Sequence, residues 1–558
     1  MFEEEVKKIS EQYKVIKTFN CDDYIDSPLN LYIDLKACRK DAFDPDEKIV
    51  FILKSDFYTD NVRYPSGQML TLIQKFCNDI DISNPFITII TSNQNIVEEY
   101  DWVFENENFD ANKFNIVVVS DKFIKHPYNK KLIFHRQENY NQLTQNVEIL
   151  TSKVRDILEN NKSFCTLAWH GINIEPNGKL RPCCQFNDVL GNASKESIKD
   201  IWNSESIKNI RKTMMAGEQV KACNACYIKE KYGRDSLRKS SNRKFAHVIS
   251  DIFDKTDVNG KFDNFHLKYI DARYNNLCNL ACRTCGPSAS SSWYKASTFL
   301  NKNFSEIQPS AFLVAGQNEN DIYVQILEHI DTIETIYFAG GEPLIIKKFY
   351  DILERLIDAK RTDVELIYNT NLTQTKLKSQ KIFDLWNQFS NVSVGGSLDA
   401  EGKRAEYIRT NTKWDIIEKN RREMIEKCPH VDFHVSSTTG ILNGLHVPDF
   451  HRSWVKKGLI NAGDFNIQIL FSPSQYSLAQ APNKLKKMIK EKYEDHLEWL
   501  RPLDKNGRAT FGYESIIKHM ESDIPFDKEK FWYETNLLDT FYKQNILDYI
   551  PELEILPR

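Results

Sequence analysis

The stretch Asn276-Leu-Cys-Asn-Leu-Ala-Cys-Arg-Thr-Cys-Gly286 puts Cys278, Cys282 and Cys285 in one short loop. Three thiolates at this spacing suit three corners of an iron–sulfur cube, because cysteine thiolates are the usual ligands of such clusters. The next cysteine along the chain is Cys428, so one iron is left open for another ligand. An open coordination position marks a catalytic metal site rather than a structural one. The rival is a structural zinc ion, which takes four protein ligands. His266, ahead of Cys278, is then the candidate fourth.

Outward from this loop the pattern is regular. Strands are expected at His266–Arg273, Thr335–Phe338, Val364–Asn369, Val392–Ser397, Phe433–Thr438 and Phe465–Phe471, short apolar runs bounded by polar residues. Helical patterns lie between most of them, as at Lys347–Ala359, Leu377–Phe389 and Trp414–Lys427. Strand–helix repeats of this kind predict parallel strands with right-handed crossovers. Six of them close only part-way, so the fold class is α/β with a partial (β/α)6 barrel. Loops at the C-terminal strand ends carry the chemistry of such barrels, and the cysteine loop follows the first strand.

Other strand ends carry polar motifs. Ala339-Gly-Gly-Glu-Pro343 follows the second strand. Alone it is a turn signal, but Gly also allows close backbone approach and Glu offers acceptors for an ammonium group. Asn369-Thr-Asn371 ends the third strand and Ser397-Leu-Asp399 the fourth, with Arg409 beyond it. Each of these residue types is also an ordinary helix cap or surface ion-pair partner.

A second cysteine group precedes the barrel. Cys165, Cys183, Cys184, Cys223 and Cys226 are interleaved with Gly178, Gly191-Asn192, Ile201-Trp-Asn203 and Arg211. Asn177-Gly178 between apolar stretches signals a hairpin, whose open end would hold Cys165 and Cys183. Cys-x-x-Cys and paired thiolates also suit a zinc ribbon.

Taken together, residues 262–480 resemble the radical S-adenosylmethionine (SAM) enzymes. In that family SAM chelates the open iron of a 4Fe–4S cluster. Reductive cleavage of SAM gives a 5′-deoxyadenosyl radical, which abstracts hydrogen from a substrate. The resemblance implies that Gly340, Gly341, Glu342 and Pro343 receive the SAM amino group. It also implies that Ser397 contacts ribose or carboxylate, and that Arg409 pairs with the carboxylate. Asp399, Asn369 and Asn371 are further candidates at the strand ends, and Ser436, Ser437 and Asn443 in the fifth. One departure is Thr284, where the family often carries an aromatic residue before the third cysteine. Residues 163–232 resemble the SPASM/twitch domain, which implies a second 4Fe–4S cluster on Cys165, Cys183, Cys223 and Cys226, with Cys184 spare. Five cysteines are too few for two further four-cysteine clusters. The order is unusual, because this segment precedes the barrel.

The rest of the chain sets bounds. A length of 558 residues predicts several domains. Residues 1–150 read as an α/β module with strands at Lys48–Lys54, Pro85–Ser92 and Phe114–Ser120 and a crossover helix over 66–80. No Gly-rich phosphate loop follows these strands. Residues 481–558 read as a helical C-terminal flank. A net charge of −4 gives no global case for nucleic acid or an anionic membrane. The charged N-terminus lacks the apolar core of a signal peptide, and no apolar run is long enough to span a bilayer. Clustered cysteines without an export signal predict a reducing cytoplasm, and Cys21, Cys38, Cys77 and Cys428 read as ordinary buried thiols.

The resemblance further implies a reductant such as flavodoxin or ferredoxin and favours a peptide or protein substrate. The alternatives are a sugar or cofactor precursor, RNA held by the basic run Lys229–Lys244, or a non-catalytic zinc-binding adaptor.

Overall fold

The computed structural model describes 15–20, 48–54, 86–90, 115–119, 154, 157–158 and 160–558, except for 232–234, 302–311, 316–320, 506 and 523. The chain forms two compact units. One comprises 1–166, 212–220 and 226–258, and the other 167–211, 221–225 and 259–558.

The first unit holds a parallel sheet of β1 (Val15–Asn20), β2 (Lys48–Lys54), β3 (Phe86–Ile90) and β4 (Asn115–Val119), in that order. Three of these strands match the sequence expectation; β1 was not expected. The predicted crossover helix, Cys21, Cys38 and Cys77 lie outside the described residues. The same unit contains helix α1 (Leu237–Lys244), inside the basic run. Arg238 of α1 is buried. It forks onto Glu230 at 2.9 and 2.5 Å and donates to the carbonyls of Asn161 and Phe164. This cation therefore serves the packing, whereas the sequence alone offers the run as a surface for RNA.

The second unit is built on a nine-stranded sheet. Its strands are β5 (Gly171–Ile174), β6 (Lys179–Arg181), β7 (Gly191–Asn192), β8 (Tyr269–Ala272), β10 (Thr335–Phe338), β11 (Glu365–Thr370), β14 (Val392–Ser397), β16 (Asp432–Thr439) and β17 (Phe465–Ile469). From β8 to β17 the neighbours run β8-β10-β11-β14-β16-β17, all parallel. These are the six expected strands of the partial barrel, and the sheet stays open with β17 at one edge. On the other side, β5 adds to β8 in parallel and turns back as the Asn177-Gly178 hairpin, antiparallel to β6. The hairpin thus continues the barrel sheet.

Strand alternation separates two environments. On β16 every second residue is buried against the helices, and the intervening ones face the barrel interior. Helix α2 (Lys347–Asp358) and α3 (Trp414–Lys427) sit where the sequence places them. The expected helix at Leu377–Phe389 is shorter. Lys378 takes a left-handed φ of 54° and turns a small hairpin of β12 (Lys376–Leu377) and β13 (Gln380–Lys381), so the helix runs only over Ile382–Trp386. Lysine pays a steric cost at positive φ, which is why a helical pattern hides the turn.

Beyond the barrel the chain forms helices α4 (Asn483–Leu500), α5 (Arg508–Met520) and α6 (Lys528–Tyr542). Helix α6 packs Leu538 against Ala281, Trp293, Ala296 and Leu300 beside the cysteine loop. No helix among the described residues is long and apolar enough to cross a membrane.

Candidate active site and iron–sulfur centres

The cysteine loop leaves β8 and is held by the protein's own bonds. Asn275 Oδ1 accepts from the Leu277 amide at 3.0 Å, and Asn276 Nδ2 donates to the Pro287 carbonyl at 3.1 Å. Ser290 and Ser292 hydroxyls donate to the Leu280 and Cys278 carbonyls at 2.6 and 2.7 Å, and Trp293 Nε1 to the Cys282 carbonyl at 3.0 Å. Strand β9 (Ala281–Cys282) pairs antiparallel with β15 (Arg409–Thr410), which sets Cys282 opposite Arg409. Within the loop the Cys278 thiol also accepts from the Leu280 amide at 3.5 Å, and the Cys285 thiol donates to the Gly286 carbonyl at 3.8 Å.

The Gly-Gly-Glu-Pro segment runs directly against this loop. The Gly341 and Glu342 amides donate to the Asn275 and Leu277 carbonyls at 3.2 and 2.7 Å. A Cβ on Gly341 would run into the Leu277 carbonyl, so glycine is required by close approach. Pro343 is buried at the start of the following turn.

Cys278, Cys282 and Cys285 line one cavity of about 290 Å³ with Gly340, Gly341, Glu342, Asn369, Asn371, Ser397 and Arg409. The structure therefore gathers most of the residues singled out in the barrel motifs. Thr284 lines the cavity as well.

Other expected residues are placed differently. Asp399 is buried away from the cavity, where it accepts from Arg409 Nε at 2.8 Å and from the Thr438 amide at 2.8 Å. It orients Arg409. Asn443 caps the Gly440 amide and donates to the Asp399 carbonyl, and Ser437 points to the helix side of β16. On that strand the cavity is lined by Thr438. Arg273 and Tyr337 also line it and were not expected. His266 is absent from the lining; its carbonyl meets His170 Nδ1 at 2.8 Å.

Glu342 is a hub. Its carboxylate accepts from Thr370 Oγ1 at 2.6 Å, from the Asn371 amide at 2.7 Å and from the Leu344 amide at 3.0 Å. Burial nevertheless pushes its pKa up to about 7, against the pull of these donors. A carboxylate so placed favours a nearby cation.

Burial likewise pushes the Cys278 thiol up to about 11 and raises Cys282 and Cys285; Glu342 adds to the rise at Cys278, and Arg409 opposes it at Cys282 and Cys285. Three thiols raised in this way ionise together only beside strong positive charge, which a bound metal centre supplies. Among the described residues no three His, Cys, Asp or Glu side chains gather as ligands of one ion. All three thiols line one cavity, and cysteine thiolates are the usual ligands of such clusters. The donor set fits an iron–sulfur cluster.

In the second cysteine group, Cys165 and Cys226 belong to the first unit, and Cys183, Cys184 and Cys223 to the second. Cys165, Cys183 and Cys226 are buried, and Cys184 and Cys223 are half-buried. The intervening motif has a packing role. Arg211 is fully buried, stacks 4.7 Å from the Trp202 ring centre, and donates to Asn203 Oδ1 and the Ala168 carbonyl at 2.9 Å each. Cys428 is buried, as expected, with its thiol donating to the Phe383 carbonyl.

No curated protein is significantly similar to the chain. Among solved structures, native anSMEcpe with bound AdoMet and Cp18Cys peptide is similar at 14% identity and a TM-score of 0.30, over 42% of this chain and 61% of that one. Native anSMEcpe with bound AdoMet is 15% identical at a TM-score of 0.30, over 49% and 66%. The chain thus spans less than two-thirds of the length of these distant neighbours. The family comparison is direct and local. The model of the SPASM iron–sulfur cluster-binding domain matches 165–227, a span that holds all five cysteines of the second group.

Proposed function

We propose that the protein is a radical SAM enzyme that abstracts hydrogen from a peptide or protein side chain in a reducing cytosol. The observation that carries this reading is the shared cavity. Three thiols, a Gly-Gly-Glu turn, Ser397 and Arg409 meet at the C-terminal ends of parallel strands, where such folds keep their chemistry. When bound, a 4Fe–4S cluster on Cys278, Cys282 and Cys285 supplies the electron that cleaves SAM and the open iron that holds it.

The chain's own residues supply the rest. Glu342 and the adjacent backbone favour the SAM ammonium, and Arg409, oriented by Asp399, offers its guanidinium to the carboxylate. Cys165, Cys183, Cys223 and Cys226 would hold a second cluster, which would pass electrons to or from the substrate or brace the fold, and a flavodoxin- or ferredoxin-type protein would serve the enzyme as reductant.

The peptide or protein class rests on the SPASM resemblance and on the large additional segment 1–150. The RNA reading is weakened because Arg238 is buried and Arg243 pairs with Asp235 at 2.6 Å.

Anaerobic reconstitution tests the proposal. Two cubane clusters give about eight iron atoms per chain, and replacing Cys278, Cys282 and Cys285 with Ala leaves about four. With dithionite and SAM the wild type forms 5′-deoxyadenosine and Cys282→Ala does not. Equal yields, or a protein that takes up only zinc, refute it. Mass spectrometry of peptides and metabolites from cells with and without the protein tests the substrate class; a modified sugar or nucleotide would remove the peptide claim.

A further inference from the structure

Beside Gly340, where an added Cβ would lie 3.3 Å from Arg273 Cα, the cavity has lining residues to which no SAM contact is assigned. Arg273, just beyond β8, and Tyr337, on β10, both line it. Tyr337 lies in register with Asp271 on the neighbouring strand. Asp271 is fully buried and grips one edge of the Arg273 guanidinium, accepting from Nε at 3.0 Å and from Nη2 at 3.2 Å. Nη1 has no protein acceptor among the described residues, and Arg273 is one-third exposed, at 32%.

Tyr337 is similarly one-sided. Its hydroxyl oxygen accepts from Asn369 Nδ2 at 2.5 Å, which leaves the hydroxyl proton to be donated elsewhere. The Asn369 carbonyl oxygen is turned away, tight against Gly395, where any Cβ would strike it. These lining residues thus present two donors, a guanidinium edge and a phenol proton, whose neighbouring acceptors are already engaged.

An acceptor-only group complements such a pair, and a planar carboxylate matches the guanidinium edge. Asp271 already offsets the arginine's charge, so the pair offers hydrogen bonds more than net charge, which suits a singly charged carboxylate better than a dianionic phosphate. We propose that Arg273 and Tyr337 form a substrate-carboxylate subsite, so that the molecule modified here carries a free carboxylate near the reacting carbon. Asp271 is its positioning residue. The role as a substrate subsite rests on the radical SAM reading; the ability to bind a carboxylate does not.

The test uses the reconstituted holoenzyme, saturated with SAM to occupy the Arg409 side and left unreduced so that nothing turns over. Propionate, its neutral isostere propionamide and inorganic phosphate are titrated as probes by saturation-transfer NMR. Propionate is expected to bind, and propionamide and phosphate to bind at least tenfold more weakly. Arg273→Gln and Arg273→Lys should each weaken propionate tenfold or more, and Tyr337→Phe severalfold. Arg273→Gln leaves Asp271 buried without its partner; the lysine variant keeps a charge beside it, and Asp271→Asn/Arg273→Gln removes both charges, so a misfolded single variant does not decide the matter.

No propionate binding, equal binding of propionamide, or undiminished binding by Arg273→Lys overturns the subsite. Tighter binding of phosphate overturns the carboxylate assignment. Wild-type 5′-deoxyadenosine formation is measured on the same preparation. If it fails while propionate binds selectively, the radical reading falls and the subsite stands; the converse result removes the subsite alone.

Discussion

Arg283, between the second and third cysteines of the loop, donates from Nη2 to Asp539 Oδ1 at 2.6 Å, and both side chains are buried. The same guanidinium stacks 3.8 Å from the Tyr407 ring centre and reaches Gln544 at 2.9 Å. Tyr407 in turn donates to Asp539 at 2.9 Å. Helix α6 thereby anchors the loop that carries all three thiols, and the anchor is ionic as well as apolar.

Removing Asp539 leaves a buried, uncompensated cation, a change that commonly costs about 3–5 kcal/mol. Asp539→Ala is expected to lower stability by that order and, on the proposed cluster assignment, to lose iron from the barrel cysteines while keeping it at the second cysteine group. Denaturant titration and iron analysis read the two effects. Full stability with a full iron complement would show that the anchor is dispensable.

Gly341 passes too close to Leu277 for any side chain. Gly341→Ala should cost about 1–3 kcal/mol through overpacking and weaken SAM binding, since the turn and the cysteine loop must separate. Gly286, with open space around the same atom, is the control, and Gly286→Ala should leave SAM binding unchanged. Similar behaviour of the two variants would contradict the close approach.

Arg409 bonds Asp399 through Nε and approaches Cys282 Sγ at 3.7 Å through Nη1. Lysine keeps the charge but not the planar fork. Loss of one charge-assisted bond is worth about 1.5–3 kcal/mol, so Arg409→Lys should weaken SAM binding at least tenfold. Equilibrium dialysis of the unreduced holoenzyme measures it, and an unchanged Kd would reassign the residue to the fold.

Far from the site, Arg452 Nε donates to His496 Nδ1, His496 Nε2 to His451 Nδ1, and His451 Nε2 to the Ala462 carbonyl, at 3.1, 3.1 and 3.0 Å. This chain of donors fixes both rings as neutral tautomers. Burial lowers His496 and pushes His451 down to about 3 from its ordinary 6.5. The unfolded chain therefore takes up the His451 proton first as pH falls. The stabilisation is whole above pH 6.5 and drains away toward pH 3, by about 2 kcal/mol at pH 5. Denaturation of the cluster-free protein at pH 7 and pH 5 should show a shallower pH dependence for His451→Gln. Parallel curves would mean that His451 titrates normally.

The barrel was legible because its strands are buried parallel runs with polar ends. Thr335–Phe338 and Val392–Ser397 fall on their predicted limits. The cysteine loop and the Gly-Gly-Glu turn were legible because their residues are adjacent in sequence. Less legible was anything decided by partners far along the chain. Arg238 looks like one more charge in a basic run until Glu230 and two carbonyls are placed around it. Asp399 looks like a ligand until Arg409 and the Thr438 amide claim its oxygens. Arg273 and Tyr337 sit within or beside apolar strands, and only the inward half of the strand alternation marks them.

The loop's anchors also fix an order of events in the making of the protein. Residues 278–285 leave the ribosome early, but their pairing strand lies at 409–410 and Asp539 comes 256 residues after Arg283. All three thiols are therefore synthesised well before the helix that braces them, and the brace closes only once the chain has been made through Asp539.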